Sequence, residues 1–321
     1  MKKYILLYGD KKPEDNICLT NMFKENKQIK LGWSEIDINA TNKLIDKLVK
    51  DGYEEIIFAG LEIGWDNVIN YINDTYPKVL INVICTTQDS LLYYEYEREN
   101  FFKLLELNKE CIVNKIAFLR KGQYELYKNL GYNCCFLAQN FILEDKIKLS
   151  KEKREQISLG FYPLNYVWDK NIFNQLCVGK MLDNSIITYN ALDPRMTEFL
   201  DTMNIDSNPV KIDEIDYKNI AKNIVENDVV ISTSFTEYFH PVFFISMELG
   251  VPCLVGNTSD LFTSKDKLSK YIVTSAEDNA IINSGIIKDI LDNKKEIISL
   301  YKEWKEKYNK TAKDSLEKFI G

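Results

Sequence analysis

Apolar residues in this chain fall into two kinds of run that alternate from one end to the other. Short continuous runs occupy residues 4–8, 56–59, 79–84, 112–118 and 134–137, then 157–161, 185–189, 228–231, 253–255 and 272–274. Their length and lack of polar alternation predict strands buried on both faces. Between them, apolar positions recur every three or four residues. That spacing predicts helices near 14–25, 41–51, 63–72, 91–107, 122–130, 170–176, 193–203, 215–226, 242–249 and 276–293. Residues 35–38 are a further candidate strand, and residues 293–319 read as one long amphipathic helix. Strands alternating with helices of this length give βαβ units and parallel sheets. The stretch 143–156 is dominated by charge (EDKIKLSKEKREQ from Glu144) and marks a domain boundary.

The expected organisation is therefore α/β, with a first domain over 1–145, a second over 155–300 and a terminal helix over 301–321. A length of 321 residues fits two domains of ordinary size. Forty-one Lys and Arg against 48 Asp and Glu leave a net charge of −7, which argues against a dedicated nucleic-acid binder. The seven cysteines are scattered and form no C-x-x-C pair, so neither a zinc site nor a disulfide framework is indicated. The start, MKKYILLYG, has too short an apolar run for a secretion signal and reads as the first strand. With no apolar stretch long enough to span a bilayer, a cytoplasmic protein is expected, with at most peripheral contact at the inner face of the membrane.

Candidate chemistry concentrates in DVVISTSFTEYFHPVFFISMELGVPCLVGNTSDLF, residues 228–262. It reads as strand, polar turn, buried helix and second strand, with Glu237 just ahead of the helix. In parallel sheets ligands sit at the carboxyl ends of strands, where helix N-termini favour anions. Ser232 to Glu237 are thus a candidate lip of a nucleotide or phosphate site, although any parallel α/β sheet has such turns. Asn257, Thr258 and Ser259 follow the next strand and offer hydroxyl and backbone donors, as ordinary turn residues also do. The lone histidine, His240, precedes Pro241 and suits a helix start. Neither a phosphate-binding P-loop nor a G-x-G-x-x-G fingerprint is present, which counts against an ATPase or a nicotinamide dehydrogenase.

The string S-x-x-E-Y-F, the buried helix and then G-V-P-C-L-V-G-N-T-S-D-L-F resemble the donor-binding segment of retaining glycosyltransferases of the GT-B architecture (group 1, family 4-like). That family pairs two Rossmann-like domains facing each other across a cleft, with the C-terminal helix crossing back to the first domain. Its segment carries a Glu, seven residues, a second Glu, and a Gly-x-Pro turn. Glu237 matches the first Glu, and Gly250 with Pro252 the turn. The second Glu falls at position 245, where this chain has Ile245, and Glu248 one turn further is its candidate substitute. A second match is Leu159-Gly160 followed by Trp168, Lys170-Asn171 and Gln175.

The resemblance implies a sugar transferred from a UDP- or GDP-linked nucleotide sugar to a glycan or glycoprotein acceptor, with retention of configuration and no metal. In that picture Glu237 contacts the donor sugar and Lys170 the diphosphate. Gly160, Asn171, Ser234, Glu248, Asn257, Thr258 and Ser259 complete the donor side, while Trp65, Thr86 and Asp89 face the acceptor. Work on bacterial surface glycans or in protein glycosylation is typical of such enzymes. The alternative is a GT-B-like subunit without activity that presents an acceptor to a partner transferase. The resemblance leaves a homodimer equally open.

Overall fold

The structure is a computed structural model and describes residues 3–9, 22–23, 27–31, 37–139, 155–212, 217–237 and 240–320. The chain divides into two compact units, Met1–Phe141 with Asn309–Gly321, and Ile142–Tyr308. The predicted helix over 14–25 lies almost wholly outside the described residues, as does nearly all of the charged stretch 143–156.

The first unit is built on a parallel sheet of β1 (Tyr4–Tyr8), β2 (Gln28–Lys30), β3 (Glu55–Ala59), β4 (Leu80–Cys85), β5 (Lys115–Phe118) and β6 (Cys134–Phe136), in the order β2-β1-β3-β4-β5-β6. Among the described residues its longer helices are α1 (Ile38–Lys50), α2 (Trp65–Thr75), α3 (Glu95–Lys109) and α4 (Lys121–Asn129). Of the strand expected at 35–38, residues 35 and 36 lie outside the described residues; Asp37 and Ile38 instead start α1, with Asp37 as the N-cap accepting a hydrogen bond from the Ala40 amide at 3.0 Å. The second strand instead lies at Gln28–Lys30, paired with β1.

The second unit repeats the plan with β7 (Ile157–Phe161), β8 (Ser185–Asn190), β9 (Ser207–Val210), β10 (Val229–Ser232), β11 (Cys253–Gly256) and β12 (Val273–Thr274), in the order β12-β11-β10-β7-β8-β9. Helices α5 (Ile172–Cys177), α6 (Pro194–Thr202), α7 (Tyr217–Ile224), α8 (Pro241–Glu248), α9 (Ser269–Ile272) and α10 (Ala280–Asp292) accompany it. β9 escapes sequence reading because Pro209 cannot donate to a ladder; it survives as the outermost strand, where one side of the ladder is unused.

The last helix, α11 (Lys294–Ile320), belongs to both units. Its first part meets α8 through stacked and tilted rings of Phe244, Trp304 and Tyr308, with Trp304 and Tyr308 4.7 Å apart. Its last turn is held in the first unit. The Lys115 ammonium donates to the carbonyls of Lys318 and Phe319 at 3.1 Å each, and the Ser315 hydroxyl accepts from the Ala138 amide at 3.0 Å. Cations suit the end of a helix, where backbone carbonyls lack partners.

Candidate functional site

In the second sheet β7 pairs directly with β10, and β10 with β11. All run parallel, so the loops after their carboxyl ends gather at one edge. After β7 the chain passes to a 3-10 turn, Trp168–Lys170, and then α5; after β10 it passes to Glu237 and α8. Two residues 67 positions apart are thereby joined: the Lys170 ammonium lies 2.6 Å from Glu237 Oε2. Their side chains are only 14% and 16% exposed, so each charge is largely withdrawn from water and relies on the other. In such a pair the ammonium can neutralise an incoming phosphate, and the carboxylate can accept hydrogen bonds from hydroxyls.

Hydrogen bonds fix the frame around this pair. Asn171 is left-handed at φ 52° and 3% exposed. Its amide donates to the Thr233 carbonyl at 3.0 Å and to the Glu277 carbonyl at 2.7 Å. Gln175 donates to the Lys170 carbonyl at 2.7 Å and accepts from the Thr233 amide at 2.8 Å. The Phe235 amide donates to the Asp169 carbonyl at 2.8 Å. The loop leading to Glu237 is thus tied to residues on both sides of Lys170.

Several expected site residues belong to this frame. The Thr258 hydroxyl donates to the Ser234 carbonyl at 3.0 Å, and the Asn257 amide donates to Glu277 Oε1 at 2.9 Å. Ser259 ends the 3-10 turn that Asn257 begins. Gly160 lies mid-strand in β7, and its missing side chain makes room for Tyr162 and Asn227. That is a packing requirement, not a surface for a phosphate.

Glu248 and Trp65 take other roles than expected. The Glu248 carboxylate is held by the Tyr301 hydroxyl at 2.6 Å and by the Lys305 ammonium, both on α11. It therefore does not stand in for the carboxylate missing at 245. Tyr301 is held above the usual tyrosine range by burial and then by the charge of Glu248. Ile245 itself is fully buried in α8 among Val242, Phe243, Phe244 and Met247. Trp65 is also fully buried, its ring 5.5 Å from that of Phe58, so it is a core residue and cannot stack on a sugar.

Thr86 and Asp89 do follow the carboxyl end of β4. Asp89 accepts from Gln123 at 3.1 Å and from the Tyr127 hydroxyl at 3.4 Å, which anchors that loop to α4. Glu277 is a frame residue that the sequence does not mark, whereas Gln175 is part of the second match. The Glu277 contacts with Asn171 and Asn257 span 106 and 20 residues, and no local pattern announces contacts of that range. Among the described residues no group of three or more His, Cys, Asp or Glu is placed to hold a metal. No described helix is long and apolar enough to cross a membrane.

No family model and no curated protein matches the chain. Solved structures do. Sucrose-phosphate synthase from Thermosynechococcus elongatus superposes with a TM-score of 0.69 at 11% identity, over 96% of this chain and 94% of its own. HepE from Anabaena, in complex with UDP and glucose, gives 0.68 at 11% identity over 99% of each chain. A UDP-forming α,α-trehalose-phosphate synthase from Burkholderia xenovorans, in complex with glucose-6-phosphate, gives 0.69 at 9% identity over 99% and 100%. The fold of this chain is accordingly GT-B, two parallel α/β units of six strands each.

Proposed function

We propose that this chain transfers a sugar from a UDP- or GDP-linked donor to a glycan or protein acceptor, with retention of configuration. The reading extends to bacterial surface glycans or protein glycosylation as the setting. The observation that carries it is the Lys170–Glu237 pair, sequestered at the carboxyl edge of the second sheet in a chain of GT-B fold. When a sugar–phosphate bond breaks, negative charge grows on the departing diphosphate, and a fixed ammonium lowers that barrier. Lys170 fills that role while Glu237 accepts hydrogen bonds from the sugar hydroxyls. The donor then takes over both partners of an ion pair that already exists, so the two groups are positioned before it arrives. No metal is required for this scheme.

One observation favours a second reading, a subunit without activity that presents an acceptor to a partner transferase. The position at which the resembling family holds the ribose is a buried isoleucine, and the nearest carboxylate on that helix is engaged by α11. Thermal unfolding with UDP, GDP, CMP and dTDP separates the two. A ligand at 100 times its dissociation constant adds about 2.7 kcal/mol, a clear rise in Tm. A transferase gives that rise with one nucleotide and loses it in Lys170→Ala and Glu237→Ala. No rise with any of the four, under conditions where the protein is folded, overturns the transferase and leaves the presenting subunit.

A further inference from the structure

The residues next to Lys170 and Glu237 in sequence also wall a cavity of about 360 Å³ in the second unit, whose lining includes Tyr166, Trp168, Asn171, Phe173, Asn174 and Phe235. Its volume lies within the range of about 300–1,000 Å³ typical of small-molecule sites. Among the described residues no acidic or basic side chain lines it, so it suits an uncharged part of a ligand. Phe173 is fixed at ring-centroid distances of 6.4 Å from Tyr166 and 5.1 Å from Phe199, and the Arg195 guanidinium covers Tyr166 at 4.7 Å. Trp168, by contrast, is 54% exposed, with much of its indole open to a ligand. Asn174 donates to Asn171 Oδ1 at 2.6 Å, and Asn171 is itself locked by two backbone carbonyls. The Asn174 amide is therefore oriented in advance and keeps an oxygen for a ligand hydroxyl.

These features together ask for a neutral ring with one apolar face and a hydroxyl-bearing edge. A flat nucleobase clamped between two rings needs them parallel and about 7–8 Å apart, two contact distances. Trp168 and Phe235 are 6.3 Å apart and tilted by 34°, too close and too oblique for such a clamp. We propose that the cavity binds a pyranose ring, its C–H face lying on Trp168 and its hydroxyl edge reaching Asn174. Within the transferase reading, on which this rests, the ring belongs either to the donor or to the acceptor.

The experiment is saturation-transfer NMR on the full chain with glucose, galactose, mannose and N-acetylglucosamine as probes. It is repeated with Trp168→Ala and Asn174→Ala after confirming an unchanged Tm. UDP, GDP and the matching nucleotide sugars are titrated alongside. At least one sugar is expected to bind, about tenfold or more weakly in Trp168→Ala, with nucleoside diphosphate affinity unchanged. If the nucleotide sugar outbinds its nucleotide and Trp168→Ala abolishes that advantage, the ring is the donor's. If the advantage survives while free-sugar binding is lost, the ring is the acceptor's. Absence of binding by all four sugars, equal binding in Trp168→Ala, or a nucleoside whose binding depends on Trp168 overturns the proposal. Sugar binding through Trp168 with no nucleotide binding at all keeps the sugar site and refutes the transferase.

Discussion

Restoring the carboxylate that the resembling family carries at 245 is the obvious repair of this chain, and its geometry predicts that Ile245→Glu fails. Ile245 is fully buried on a helix whose first seven residues are all buried. Removing the isoleucine forfeits about 1.5–3 kcal/mol of apolar burial. An unpartnered buried carboxyl costs about 1–3 kcal/mol even when protonated. Full burial raises a glutamate by about 3–5 pKa units from its ordinary value near 4.3, so at pH 7 it folds protonated and must first take up a proton. The interval from 4.3 to 7, at about 1.36 kcal/mol per unit, adds about 4 kcal/mol. Together these amount to about 6–10 kcal/mol, comparable to the whole stability of a typical domain.

The sign of the pH dependence follows. An acid whose folded value is raised costs nothing in ionisation below its unfolded value, and its cost grows as pH rises towards the folded one. At pH 5 the ionisation part shrinks to about 1 kcal/mol. Ile245→Glu should therefore unfold at much lower temperature than wild type at pH 7 and recover part of the loss at pH 5. Ile245→Gln carries the burial defect without the pH dependence, and Ile245→Met should cost less than about 1.5 kcal/mol. The assay is Tm at both pH values with UDP and GDP titrations. An Ile245→Glu protein with wild-type Tm at pH 7, or with tighter nucleotide binding, would show that position 245 faces a polar site and sink the reasoning.

Two further outcomes follow from packing and charge. A Cβ at Gly160 would fall 2.7 Å from a Tyr162 ring carbon and 2.9 Å from Asn227 Nδ2. Asn227 is held by Ser158, Tyr162 and two backbone carbonyls, so Gly160→Ala should cost about 1–3 kcal/mol in chemical denaturation. Gly285→Ala, in open space on α10, should be neutral or stabilising, and equal effects at the two glycines would refute the argument. In the first unit, hydrogen bonds from the Tyr71 and Tyr76 hydroxyls at 2.6 and 2.7 Å hold Asp46 below its ordinary 3.8. Their contribution is complete above pH 3.8 and vanishes as pH falls through the lowered folded value. Tyr71→Phe/Tyr76→Phe should lower Tm at pH 7 and converge with wild type in strong acid; a gap that persists there would refute it.

What the sequence made legible follows from the range of the physics involved. Continuous apolar runs separated by helical periodicity are local signals, and they locate ten of the twelve described strands to within a few residues; the edge strands β2 and β9 escape. Once the strands are parallel, topology does the rest. The carboxyl ends of β7 and β10 must adjoin, which is why Lys170 and Glu237, marked by the GT-B resemblance and by their positions after strands, meet at 2.6 Å. An indole after Gly64 suits an exposed loop as well as a helix start, and the acceptor-side expectation for Trp65 rests on the loop. Left-handed Gly64 begins α2 there and turns the ring onto Phe58.

Glu248 was misread for a different reason. Helical spacing gives the residues that share a face, but the partner waiting on that face is α11, some fifty residues later. The same reasoning isolates the question at 245. The local pattern already showed a helix apolar on every side, and an isoleucine fits such a helix better than any carboxylate. A chain that binds a nucleotide here must hold the ribose from other elements, and the loops that tie Asn171, Asn257 and Glu277 together offer polar groups for it to use.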